Sequence, residues 1–152
     1  MKEAYITVLD RHFTGDDSEP ECGELRTECT ISTKDGAIIV KYNETVEKSN
    51  DCETQLIIQN NRITMMRIGH FRTSMIFECQ KRHICCYETP VGEMMIGIYT
   101  NAMFTDFDEE GGILNFAYSI DSGGDLISEN ELKIFVEVKE DKDVCFSETS
   151  CK

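Results

Sequence analysis

Apolar and polar residues alternate along almost the whole chain, and no stretch sustains a helical period. Successive side chains of a strand point to opposite faces, so each alternating run predicts a strand with one buried side. Tyr5 to Leu9 forms the first, and the acidic segment DRHFTGDDSEPECG after it predicts a loop. ELRTECTIS then places Leu25, Thr27, Cys29 and Ile31 on one face. TKDG turns, and AIIVKYNET returns with Ile38, Val40 and Tyr42 aligned.

The next hairpin, QLIIQNNRITMMRI, also predicts its own register. Asn tolerates the left-handed backbone that a two-residue loop requires, so Asn60-Asn61 makes the turn. Ile58 then faces Ile63, Leu56 faces Met65 and Thr54 faces Arg67, all on one face as a buried sheet surface demands. TSMIFE and HICCYE are further strands joined around CQKR, and ETPVGE is a turn with Pro at a favourable early position. MMIGIYT follows, then a short strand over 103–107, the turn DEEGG, and ILNFAYSID with Leu114, Phe116, Tyr118 and Ile120 inward. DSGGDLISEN predicts a loop, and ELKIFVEVKE closes the pattern with Leu132, Ile134, Val136 and Val138 inward. Met65, Met66, Met75, Met94, Met95 and Met103 are expected to give the interior adaptable packing, and Gly97 to lack a side chain where neighbours crowd, which suits a bend in its strand.

The expected fold class is all-β, a single antiparallel up-and-down β-barrel of about 8–10 strands, because consecutive hairpins that close on themselves leave no open edge. One domain over residues 1–140 is expected, with a tail at 141–152 outside the barrel. At 152 residues a core of ordinary size needs no metal or disulfide staple.

Charge narrows the partners. With 15 Lys+Arg against 29 Asp+Glu the chain carries a formal −14, which repels phosphate backbones and anionic lipid, and no basic run offsets it. Neither nucleic acid nor a membrane is an expected partner. The N-terminal MKEAYITVLD lacks the apolar core of a signal peptide, so a cytoplasmic location is expected. There the eight cysteines would be reduced thiols acting as small hydrophobes.

HICCYETPVG looks at first like a metal or thiol site. On a strand, however, Cys85 and Cys86 point to opposite faces and cannot share one ion without a bulge. Only Cys79 lies close by, no CxxC occurs, and the remaining spacings match no finger or ribbon. The expectation is no metal and no cofactor. The histidines at 12, 70 and 83 lie on different segments, and G-x-S-x-G and Walker loops are absent. No complete catalytic set is visible, and the reading leans away from an enzyme.

One polar constellation survives. If strand 37–45 pairs with 53–60, Glu44 and Arg67 converge at one mouth of the barrel beside Tyr42. Tyr42, Glu44 and Arg67 would then be a polar anchor at the rim of an apolar pocket. The commoner use of such residues is a structural ion pair, or an arginine snorkelling to water.

The runs RIGHFRTSMIFE, YETPVGEMMIGIYT, EEGGILNFAYSID and SENELKIFVE, with TECTISTKDGAIIVKYNET before them, resemble the YwiB-like family of uncharacterised bacterial proteins, known mainly from Firmicutes. The resemblance covers residues 3–139, with Arg67, Gly69, Met75, Phe77, Tyr87, Thr89, Pro90, Gly92, Thr100 and Tyr118 at matching positions. It implies a lipocalin-like (calycin) barrel and carries no assigned activity. Cys29, Cys79, Cys85 and Cys86 depart from the family pattern, so the cysteines look particular to this chain. Two functions follow as expectations: a barrel binding a small apolar or amphipathic ligand, or a solid barrel whose acidic surface docks a basic protein partner.

Overall fold

The computed structural model describes residues 1–14, 19–47, 50–69 and 71–139. They form ten strands: β1 (Lys2–Thr14), β2 (Glu21–Lys34), β3 (Ala37–Glu47), β4 (Asn50–Gln59), β5 (Arg62–Ile68), β6 (Arg72–Glu78), β7 (Arg82–Thr89), β8 (Gly92–Asp108), β9 (Gly111–Ser122) and β10 (Asp125–Val138). Each strand pairs antiparallel with its neighbours in sequence, and β10 returns to β1, so the sheet closes into an up-and-down barrel. The tail at 141–152, His70, and the Asp16-Asp17 part of the acidic segment lie outside the described residues.

Turn chemistry sets the hairpins. Asp35-Gly36, Asn60-Asn61 and Gly123-Gly124 all adopt positive φ at both central positions, the twist that matches two-residue loops to right-handed strands. Register follows from these turns. Ile58 pairs with Ile63, Leu56 with Met65 and Thr54 with Arg67, as the hydrophobic pattern predicts. Gly111 is required between β8 and β9: its φ is +103° and a Cβ there would lie 2.2 Å from the Val136 carbonyl oxygen.

Three expected boundaries change. β1 runs on to Thr14 and β2 begins at Glu21, so most of DRHFTGDDSEPECG is strand and the connection is short. MMIGIYT and 103–107 are one strand, β8, in which a bulge between Thr100 and Ala102 reverses the alternation. DSGGDLISEN is likewise strand apart from its Gly-Gly turn, and a bulge between Leu126 and Ser128 hides the period. The crowding expected at Gly97 comes from Arg82. The Gly97 Cα lies beneath the Arg82 guanidinium, which a Cβ would meet at 2.4 Å, and Arg82 grips Asp121 with two hydrogen bonds of 3.0 and 2.6 Å.

The core fills one half of the barrel. Ile6, Ile31, Leu56, Ile63, Ile98, Leu114 and Ile134 are buried there, each contributing about 1.5–3 kcal/mol relative to exposure. Phe77 is their centre, 4.7 Å from both the Phe116 and Tyr118 rings. Met65 and Met75 join this interior, but Met94 and Met95 are exposed on β8 and do not.

The wall is uneven. β5 and β6 share seven register pairs and β7 and β8 share eight, yet β6 and β7 share one, Thr73 with Tyr87. Their connection is instead tied to β8, where Gln80 N–H donates to the Thr100 carbonyl at 2.8 Å. Backbone hydrogen bonds set local opening free energies. In amide hydrogen exchange, the facing amides of β6 and β7 should therefore exchange at least tenfold faster than those between β1 and β10; equal protection would contradict a weak seam.

Candidate functional site

Along β1, β3, β4, β5 and β10 the inward-facing positions change from apolar to polar toward the same end of the barrel. On β1, Ala4, Ile6 and Val8 give way to Asp10 and His12. On β3, Val40 is followed by Tyr42 and Glu44, and on β5 Met65 is followed by Arg67. β4 and β10 run the other way and reach that end first, with Thr54 before Leu56, and Ser128 and Asn130 before Leu132. Antiparallel order thus gathers polar groups from distant parts of the chain at a single mouth.

That mouth opens into a pocket of about 610 Å³. Leu132, Met65, Met75 and Ile120 contribute its apolar lining, and Tyr42, Glu44 and Arg67 all border it. The three expected site residues are therefore brought together. Arg67 Nη2 lies 3.4 Å from Glu44 Oε2, and Thr54 Oγ1 donates to the same oxygen at 2.8 Å. Glu44 accordingly fixes the guanidinium by one terminal nitrogen only. Arg67 is 42% exposed as a side chain, yet its Nε is shielded from water and has no hydrogen-bond partner.

The opposite wall was not legible as a site. Asn130, 6% exposed, donates from Nδ2 to Ser128 Oγ at 3.1 Å, and its Oδ1 meets His12 Nδ1. The carbonyl oxygen can only accept, so His12 donates to it from Nδ1. Asp10 lies over Gly23 on the neighbouring strand, where a Cβ would come within 2.5 Å of its carboxylate oxygen. The signal available in the sequence was the inward phase itself, continued past the last hydrophobe into Asp10, His12, Asn130 and Ser128.

The histidine–cysteine run resolves into separate environments. Cys85 points inward and is buried, while Cys86 is only partly covered. His83 Nε2 lies 3.0 Å from Glu78 Oε1, and this contact, with Lys81 and Arg62 nearby, holds the Glu78 carboxyl below its ordinary value. Among the described residues, no group of three or more His, Cys, Asp or Glu side chains is placed to hold a metal ion.

Burial also perturbs two phenols at the pocket. Tyr42 is pushed upward by burial and by the Glu44 charge, against the pull of Arg67. Tyr118 is raised to about 12 by burial, with Arg67 opposing and Asp10 adding to the rise. A phenol whose pKa is raised on folding favours the folded state below the unfolded value near 10, and that contribution is lost as pH climbs from there toward 12. At about pH 11 the tyrosinate absorbance at 295 nm should fall short of its unfolded amplitude by the share of these two residues; full ionisation with the fold intact would contradict their burial.

The pattern of the family described as "Domain of unknown function (DUF1934)" matches residues 6–134. The uncharacterised β-barrel protein YwiB of Bacillus subtilis (strain 168) is 25% identical over 122 residues, spanning 80% of this chain and 85% of its own. The crystal structure of the ywiB protein from Bacillus subtilis superposes with a TM-score of 0.75 at 23% identity, covering 92% of this chain and 95% of that one. That likeness extends around the barrel. With the family pattern spanning nearly all ten strands, the chain belongs to the DUF1934 family and is a β-barrel protein of YwiB type.

Proposed function

We propose that the protein is a reversible binding barrel that holds one small amphipathic molecule in the mouth pocket, without chemistry on it. The pocket of about 610 Å³ carries this reading: its apolar lining suits a hydrocarbon portion, and its polar rim suits a head group. Barrel diameter grows with strand number, and eight strands already leave an interior that side chains or one small ligand can occupy. Ten strands enclose more, which fits the lipocalin-like comparison as an analogy of architecture. Tyr42, Glu44 and Arg67 would orient the head, and the packed half around Phe77 would limit the depth of the tail. A reducing cytoplasm, where the thiols stay free, is the compartment that suits this reading.

The second reading, an acidic module that docks a basic protein, rests on the net charge of −14. It called for a solid interior, and the space at the mouth weighs against it.

Titration with Nile red, a neutral amphipathic dye, separates the two. The native chain should give saturable, blue-shifted fluorescence at one site. Leu132→Trp, which fills the pocket from β10, should weaken that binding by about tenfold, the equivalent of ~1.4 kcal/mol, with little change in Tm. Equal binding by both proteins, or none by either, would count against a ligand in the mouth.

A further inference from the structure

We propose that the mouth end of β2 takes up an extended, basic segment of another protein as an added strand; this goes beyond the ligand reading and stands without it. The ring closes at β1 and β10, but β2 and β3 part at the mouth. They share six register pairs, from Lys34 with Ala37 to Cys29 with Tyr42. Past that fork β2 runs on through residues 21–28, held by β1 along its other side. β3 runs on through residues 43–47, held by β4. Among the described residues neither stretch has a ladder partner across the fork. Space lies along this edge. Consecutive β2 residues from Glu21 to Leu25 border the mouth pocket together with Tyr42 and Glu44 of β3. A second space of about 430 Å³ sits where the strands part, between residues 27–30 of β2 and 41–43 of β3.

An open strand edge presents unpaired N–H and C=O groups, and an extended peptide completes them by adding a strand. Charge selects the partner. The open stretch of β2 carries Glu21, Glu24 and Glu28 against Arg26, and Asp10 and Glu44 border the pocket beside it. Glu28 is engaged by Lys139 at 3.0 Å and Glu44 by Arg67 at 3.4 Å. Among the described residues no Lys or Arg lies within ion-pair distance of Asp10, Glu21 or Glu24. A second copy of this chain would bring like charges edge to edge and be repelled. A strand with Lys or Arg at alternate positions sets cations beside these carboxylates while its backbone completes the ladder. The same charges therefore discourage self-pairing and specify an opposite partner.

A peptide of about eight residues matches the open stretch, roughly 26 Å of extended chain. Three such peptides, titrated into the full chain by NMR, test the proposal. One alternates lysine with threonine, one alternates glutamate with threonine, and the third is the lysine peptide with its central threonines replaced by proline. Proline keeps every charge and removes ladder donors. The lysine–threonine peptide should bind, with shifts centred on residues 21–28 and 43–47 and slower amide exchange along β2. The proline peptide should bind at least about tenfold more weakly, the scale of one lost main-chain hydrogen bond, and the glutamate peptide should not bind. Glu21→Lys with Glu24→Lys, both at exposed positions, should weaken the lysine peptide to a similar extent with the native spectrum kept outside β2. Equal binding by the proline peptide, or shifts centred elsewhere, would overturn strand addition and leave charge attraction alone. Equal binding by the glutamate peptide, or none by any, would overturn the site itself.

Discussion

The ladder between β1 and β10 joins the first strand to the last through eleven register pairs, from Ala4 with Val138 to Thr14 with Ser128. Closing the ring removes both open edges, which would otherwise template pairing with other chains. It also commits every strand to present alternate residues to one shared interior. Ten strands make that interior wide, and short side chains alone do not fill it. Phe77, Phe116 and Tyr118 meet across the centre of one half and close it. In the other half polar inward residues at the rim meet the apolar side chains of Met65, Met75 and Leu132, and space remains between them.

Polar residues facing a barrel interior need partners or water, because an unpaired buried group costs more than a hydrogen bond contributes. Here the partners come from adjacent strands at the same height. Thr54 links Glu44 to the level of Arg67, and Asn130 links Ser128 to His12. The same geometry closes the mouth structurally and, on the proposed function, would make it a recognition surface. The plainer account of Arg67, a structural ion pair, is therefore part of the picture: Glu44 does hold it. What that account leaves over is Nε, which no protein group satisfies.

The hairpin around Asn60-Asn61 was readable to the residue because turn chemistry and hydrophobic phase gave the same answer, and the convergence of Tyr42, Glu44 and Arg67 followed from it. Other parts were concealed by specific physical causes. A bulge at Thr100 reversed the phase of β8 and made one strand look like two, and another near Leu126 disguised the start of β10 as loop. The end of β1 carries Asp10 and His12 inward, so its composition resembled a loop. Asp10, Arg11, His12 and Asn130 of the pocket wall lay in those stretches. Gly97 was recognisable as a crowded position, but the group that crowds it, Arg82, sits on a different strand and makes its ion pair with a third.

The central claim is that the polar half of the barrel holds a small molecule. Native mass spectrometry of the intact chain, purified from its own cells under reducing conditions, tests it most directly. The account predicts a discrete organic adduct of one molecule per chain that leaves on denaturation and is diminished by Leu132→Trp. A bare polypeptide mass under conditions that preserve the fold, or an adduct retained by the filled variant, would contradict it.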